Sequence, residues 1–455
     1  MTATGAGTAV RKRGLALSER KLLLAAGDCA VVGAAFLLAF NLRTAEVRHL
    51  GFAVPRVAFG IVLAMFFVSA YAVDAYRLAG VVNLRGTFRS VSSSIAITFV
   101  GLLAVFFVVP YRITRPTLLF WLPLALAGLL AWRVAYGRVF GGAIFAGSLA
   151  VVADPDAFRR IWPDAGGVMR GLYRVVEVVS PARSDCAERL TELTSEGKVD
   201  QVVLGVKGEL SQALSQSLID SYDRGVPVRS LSDLYEELTG RMLLDQLGHS
   251  WLLSLPMRSE TSRVYSAFKR GLDITAAFAG LVLAALLMPF VWTAIKLDDR
   301  GPLLYRQERL GKYGRSFTIF KLRTMRVAAG HTISQTDRGD RRITRVGSLL
   351  RRIHLDEAPQ AWNVLKGEMS VIGPRPEQPA YVAALEQSIG FYRTRLSVRP
   401  GLTGWAQVNS GYGEGVGGAR EKLSYDLYYI KRQSPGLDLL ILFRTIFAVL
   451  SFKGR

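Results

Sequence analysis

Four long apolar runs occupy the first 142 residues of this 455-residue chain, at about Leu22–Leu42, Val57–Tyr76, Val91–Val109 and Thr117–Trp132. Each approaches the ~20 residues that cross a bilayer as a helix. In hydrocarbon every backbone N–H and C=O must be bonded within the segment, so helices are the fold open to such runs. Arg, Tyr and Trp sit at their ends, the usual interfacial types. Arg11, Lys12, Arg13, Arg20 and Lys21 precede the first run, Arg77, Arg85 and Arg89 join the second to the third, and Arg133 and Arg138 follow the fourth. Only Arg43, Arg48, Arg56, Arg112 and Arg115 lie in the other loops. The positive-inside rule then puts the N-terminus and everything after the fourth run on the cytoplasmic face. Residues 1–20 read as a disordered basic N-terminus that is not a cleaved signal, and 21–138 as a four-helix transmembrane bundle.

A fifth run, Ile274–Ile295, is long enough to span and carries no charge. Arg263, Lys269 and Arg270 precede it, and Lys296, Arg300, Arg306 and Arg309 follow, so both flanks read as cytoplasmic. Pro289 lies two-thirds along, where proline removes a helix hydrogen bond and kinks the axis. The expectation is a re-entrant helix-break-helix over 271–296 with its break at Pro289. An ordinary fifth span is the alternative. Near the C-terminus, Leu437–Phe452 is short for a span and reads as a core helix or an interfacial one.

Charge divides the chain. The formal net of +21 splits into +11 over 1–142, −5 over 143–255 and +15 over 256–455. A basic segment beside membrane helices fits anionic partners: phospholipid headgroups, a phosphorylated lipid or a nucleotide. No nucleic-acid module accompanies the charge, so nucleic acid is excluded as a partner. The two cysteines, Cys29 and Cys186, do not suggest a disulfide, and His49, His249, His331 and His354 have no metal-ligand spacing.

Residues 143–255 alternate strands with helices. Ala143–Ala153, Val175–Val179, Gln201–Leu204 and Val226–Ser230 read as strands, Ser184–Glu196 and Leu210–Arg224 as helices. The pattern is α/β and Rossmann-like. After the first strand the sequence is IFAGSLAVVADPD, without the G-x-G-x-x-G turn that cradles a pyrophosphate, so no NAD is expected. A structural, dimerising or regulatory domain is the remaining reading.

The densest chemistry is RRIHLDEAPQAWNVLKGEMSVIGPRPE, residues 351–377. Adjacent carboxylates, Asp356 and Glu357, follow Arg351 and Arg352, and Arg375 sits between two prolines. Acids can bind a hard cation or attack phosphorus, and arginines fork onto phosphate oxygens. Pro359 is tolerated in a helix's first turn, so a helix is predicted from near Asp356 to Gly367. Asp356 then lies at or near its N-cap, where the helix terminus favours negative charge. Pro374 and Pro376 stiffen the turn that carries Arg375. Lys321 and Arg323, in the strand GRSFTIFKLRTM, share a face. In RPGLTGWAQVN, Trp405 could stack on a base or be buried, and Gln407 and Asn409 could bond a sugar.

These motifs, collinear with KRGLDITAAFAGLVLAALLMPF and YDLYYIK, resemble the bacterial sugar transferase family over about 262–455. These are the polyprenyl-phosphate hexose-1-phosphate transferases, or monotopic phosphoglycosyl transferases. The N-terminal half resembles the long-form members, which begin exopolysaccharide, O-antigen or capsule repeat units at the bacterial inner membrane. The resemblance implies a UDP-hexose donor, an undecaprenyl phosphate acceptor and release of UMP. It implies Asp356 as the nucleophile that carries a covalent phosphosugar, and Glu357 as the ligand of Mg²⁺ (or Mn²⁺). Arg351 and Arg375 match phosphate-engaging arginines, Lys321 and Arg323 the basic K-x-R motif, and Pro289 the re-entrant break. Met288 precedes Pro289 where a serine is common. A homodimer is compatible with this reading. A non-enzymatic membrane scaffold acting through 143–255 is the alternative, and the acid pair with its basic neighbours argues against it.

Overall fold

A computed structural model describes residues 17–41, 53–73, 75–76, 84–108, 115–140, 146–161, 172–206, 208–246, 263–298, 301–326, 342–411, 413 and 415–450. The chain divides into two compact units, Met1–Gly240 and Arg241–Arg455.

The first unit opens with four apolar helices, α1 (Leu17–Asn41), α2 (Ala53–Ala72), α3 (Leu84–Val108) and α4 (Arg115–Phe140). Helix α1 starts within the predicted disordered N-terminus; residues 1–16 lie outside the described residues. Helices α1, α3 and α4 contain stretches long and apolar enough to cross a membrane, and the corresponding stretch of α2, Arg56–Tyr71, is shorter. Phe36, Phe66, Ile95 and Trp121 bring one buried side chain from each helix into a common core. A polar staple crosses that core. The Arg133 guanidinium donates to both carboxylate oxygens of Asp28, at 3.2 and 2.5 Å, and to the Ala75 carbonyl at 2.9 Å. Arg133 and Asp28 are fully buried, as a pair in hydrocarbon must be if both charges are to persist.

A four-stranded parallel sheet follows, of strand order β2-β1-β3-β4: β1 is Gly147–Ala153, β2 Tyr173–Val179, β3 Gln201–Gly205 and β4 Val228–Ser230. Leu149 through Ala153 are all buried, as expected of a central strand covered on both faces. Helices α5 (Cys186–Ser195) and α6 (Gln212–Asp223) lie within the predicted helices, and α7 (Leu231–Thr239) follows β4. The Asp154 carboxylate caps the turn after β1, accepting from the amides of Asp156 and Ala157 at 2.8 and 2.9 Å. The carboxylate thus satisfies amides at the start of the helical turn that follows β1.

The second unit begins at Arg241. The Met242 amide donates to the Ser424 carbonyl, and Met242 packs with Leu423 and Leu427. Its longest element is helix α8, Arg263–Asp298. The predicted interruption at Pro289 is absent: the helix runs through it. One missing amide is a local loss, and Ala284 and Ile295 are buried on either side of it. The predicted dip therefore has no break in this structure. Both ends of α8 are tied to the same unit. Near the start, Lys269 donates to Asp438 at 3.1 Å, Arg270 to the carbonyls of Val364 and Leu365, and the Asp273 carboxylate accepts from Ser370 and Val371. At the end, the Asp298 carboxylate accepts from the Val346 amide at 2.8 Å. Between them Phe278, Leu283, Leu286 and Phe290 are exposed.

Against α8 lie an antiparallel hairpin, β5 (Leu304–Leu310) with β6 (Ser316–Leu322), and a parallel pair, β7 (Ser370–Ile372) with β8 (Gly401–Thr403). Helices α9 (Arg345–Arg352), α10 (Ala361–Lys366), α11 (Pro379–Ser388), α12 (Trp405–Asn409), α13 (Gly415–Lys431) and α14 (Pro435–Leu450) complete the unit. Helix α14 buries Asp438, Leu440 and Ile441 while exposing Leu439 and Ile446, so one face joins the core.

Candidate active site

The acid pair lies on a short 3-10 helix, Leu355–Gln360, that runs directly into α10. His354 precedes it with φ 57°, a left-handed conformation uncommon for a residue with a Cβ, and turns the chain between α9 and this helix. His354 is the N-cap, and Asp356 stands two residues after it, inside the first turn. Asp356 is 9% exposed.

The two carboxylates have different neighbours. Lys321 Nζ donates to Glu357 Oε1 at 2.7 Å, and Arg375 Nη2 donates to the same oxygen at 2.8 Å. Burial alone would raise the Glu357 pKa, but Arg375 and Lys321 outweigh it and hold the carboxyl well below its usual range. For Asp356 burial prevails: it pushes the pKa up, the Glu357 charge adds to the rise, and Lys321, Arg351 and His354 oppose it. The expected helix-terminus effect does not keep Asp356 at an ordinary carboxylate pKa. Burial also lowers Lys321, against the pull of Glu357. The environments push the two acids apart, the pattern by which neighbouring carboxylates acquire separate roles.

Of the remaining predicted residues, Arg351 donates through Nε to Thr324 Oγ1 at 2.8 Å and acts on the Asp356 charge. Arg352 is exposed. Arg323 is buried just past the end of β6, its guanidinium packed over Gly301, where a Cβ would fall 1.6 Å from Nη1. Lys321 and Arg323 thus serve different neighbourhoods. Gln407 turns back on its own segment, donating to the Leu402 carbonyl at 3.0 Å. Trp405 is buried and stacks on Tyr428, with Arg444 over its ring.

The turn carrying Arg375 is fixed by more than its prolines. Carbonyls of four consecutive residues accept hydrogen bonds: Pro374 from the Gly401 amide at 2.9 Å, Arg375 from Arg395 Nη2 at 3.1 Å, Pro376 from Arg309 Nη1 at 3.1 Å and Glu377 from the Leu310 amide at 3.0 Å. The backbones cross closely there. A Cβ on Gly373 would lie 2.3 Å from the Arg399 carbonyl oxygen, so only glycine fits. Arg309 and Arg395 escape sequence reasoning, because each grips a carbonyl far from it along the chain.

An apolar cavity of about 740 Å³ lies beside the acid-bearing helix. Met288, Pro289 and Trp292 of α8, Phe320 of β6, and Pro359 and Trp362 line it. Pro289, expected to break the helix, is a wall of this cavity. Pro359 is three residues beyond Asp356, so the apolar space adjoins the charged cluster.

Among the described residues no group of three or more His, Cys, Asp and Glu side chains is placed to hold a metal. The donors present are nonetheless of the type a hard cation uses. Both cation contacts of Glu357 fall on Oε1, and Oε2 retains donor capacity. One or two carboxylates, completed by substrate phosphate and water, suffice for Mg²⁺.

A family profile described as bacterial sugar transferase matches residues 264–452. The UDP-N-acetylgalactosamine-undecaprenyl-phosphate N-acetylgalactosaminephosphotransferase of Aeromonas hydrophila is 43% identical over 230 residues, 50% of this chain and 53% of that protein. A UDP-glucose:undecaprenyl-phosphate glucose-1-phosphate transferase of Klebsiella pneumoniae is 30% identical over 344 residues, 74% of this chain and 72% of that one. The exopolysaccharide production protein PSS of Rhizobium leguminosarum bv. phaseoli is 38% identical over 194 residues, 41% of this chain and 96% of that protein. The chain spans about half the length of the Aeromonas relative.

Proposed function

The chain belongs to the bacterial sugar transferase family, and from that premise we propose that it transfers a hexose-1-phosphate from a UDP-sugar to undecaprenyl phosphate and releases UMP. The carrying observation is the asymmetric acid pair: a buried Asp356 beside a Glu357 that is already bonded to Lys321 and Arg375. In the proposed first step an Asp356 carboxylate oxygen attacks the β-phosphorus of the donor. The bond from that phosphorus to the bridging oxygen breaks, and UMP departs with the electron pair. In the second step an acceptor phosphate oxygen attacks the same phosphorus, which frees Asp356 and gives a lipid-linked pyrophosphoryl hexose. Splitting one displacement into two lets a single nucleophile serve two partners of different solubility.

Arg375 and Arg351 supply cations toward the charge that develops on the phosphates, and Lys321 keeps Glu357 ionised. Glu357, with Asp356, would hold Mg²⁺ (or Mn²⁺), which when bound offsets charge on the pyrophosphate. The ion pairs of Glu357 compete with that role, so substrate phosphates have to draw Arg375 and Lys321 partly away. The apolar cavity suits the first prenyl units of the acceptor. Its position beside Pro359 brings a lipid phosphate to Asp356 while the chain stays out of water.

The same reading places the catalytic unit on the cytoplasmic face of the inner membrane, with the unbroken α8 lying in one leaflet and both its ends on the same side. Its support is that residues at both ends of α8 bond to one unit while the middle exposes apolar side chains. Labelling Glu260→Cys and Arg300→Cys with an impermeant reagent should find both on one face; opposite faces would refute it. The sheet β1–β4, with its capped first turn, fits a Rossmann-like domain that does not bind NAD, and a homodimer is compatible with it. Mass spectrometry of the protein incubated with UDP-glucose or UDP-N-acetylgalactosamine tests the reaction. A phosphosugar adduct on Asp356, discharged by added undecaprenyl phosphate, is expected. Lipid product formed by Asp356→Asn at the wild-type rate would overturn the assignment.

A further inference from the structure

We infer that Arg395 is a positioning residue for Arg375: it grips the backbone of the Pro374–Pro376 turn and so aims the guanidinium that meets Glu357 and the substrate phosphate. This rests on the reaction proposed above. Arg395 is 6% exposed and lies in the short 3-10 helix Tyr392–Ser397. Its Nη2 reaches the Arg375 carbonyl at 3.1 Å. The rest of the guanidinium is held in turn: Nε and Nη2 donate to Asp426 Oδ2 at 3.1 and 2.8 Å, and Nη1 donates to Tyr392 Oη at 2.9 Å. A fork fixed at three corners is a rigid donor, and a lysine could not reproduce it.

The geometry separates aim from contact. Arg375 reaches Glu357 through its side chain, whereas its backbone is what Arg395 holds. Substrate can therefore take over the side chain while the Cα stays in place. Arg309 does the same for the next carbonyl, at 3.1 Å. Burial pushes the Asp426 carboxyl up to about 6 even beside Arg395. If Arg395 is replaced, Asp426 can take a proton instead of remaining a bare buried charge, so such a variant should still fold.

The experiment compares Arg395→Gln, Arg375→Gln and the double variant in the full chain, reconstituted in nanodiscs. Arg395→Gln should lower turnover about 10–100-fold, the scale of a misplaced catalytic group. Added to Arg375→Gln, it should cost less than about twofold more, since both act through one side chain. Multiplying losses, or a wild-type rate in Arg395→Gln, would overturn the inference. Arg395→Lys keeps the ion pair without the fork and should show a partial loss with the same non-additivity. Calorimetric affinity for UDP gives a readout independent of transfer. If Asp356→Asn proves active, the reaction scheme fails, while the coupling of residues 375 and 395 can still be read from UDP binding.

Discussion

Two clusters of buried charge invite comparison, one in the helical bundle and one around the acid pair. In the bundle, one cation meets one carboxylate: Arg133 forks onto Asp28, and its remaining nitrogen is taken by the Ala75 carbonyl and Ser90. The account closes, and no charge is left to recruit anything. Around the acid pair, Lys321 and Arg375 share a single oxygen of Glu357, Arg351 stands near, and Asp356 is pushed toward its neutral form. A matched pair fixes an arrangement of helices. An unmatched cluster stores attraction for an anion that is yet to arrive.

Substitution should separate the two. Asp356→Asn should reduce formation of lipid-linked product by about 10⁴-fold or more, the scale of losing a covalent nucleophile, without shifting thermal unfolding. Asp28→Ala should do the reverse. Stranding Arg133 should cost about 3–5 kcal/mol of unfolding free energy, read from thermal or denaturant melts in detergent. Turnover per folded molecule should stay near wild type; a loss to match Asp356→Asn would erase the contrast. Arg375→Gln and Glu357→Gln should each lower turnover about 10²–10³-fold with small changes in stability.

The smallest effect concerns pH. Burial and the Glu357 charge hold the Asp356 pKa above its ordinary 3.8. An ionised nucleophile is then lost as pH falls through that raised value, so the acid limb lies above 3.8. Glu357→Gln removes one of the two causes, and the limb of its residual activity should move to lower pH. A limb that stays in place would show that Asp356 is not the group being titrated.

Much of this was legible in the residues themselves. Apolar runs and turn chemistry located the strands β1–β4 to within about four positions and the bundle helices to within about eight, because each is encoded by neighbours in sequence. The acid pair and the stiff Pro374–Pro376 turn were visible for the same reason. What stayed hidden acts at long range. Arg309 and Arg395 look like ordinary surface cations until the fold brings them onto the carbonyls of Pro376 and Arg375. Lys321 and Arg323 share a strand face in the sequence pattern, yet one meets Glu357 and the other packs over Gly301, because the strand ends between them. Pro289 misled in the opposite sense. A rule about one lost hydrogen bond predicted an interruption, and the helix runs through it.

The ties at both ends of α8 bear on how such chains are assembled in evolution. A unit that holds its own membrane helix through Lys269, Asp273 and Asp298 carries its attachment with it. On the proposed placement it is a portable module: fused behind a bundle and sheet as here, or standing almost alone, it would sit at the same depth in the lipid and present the same face to the proposed donor.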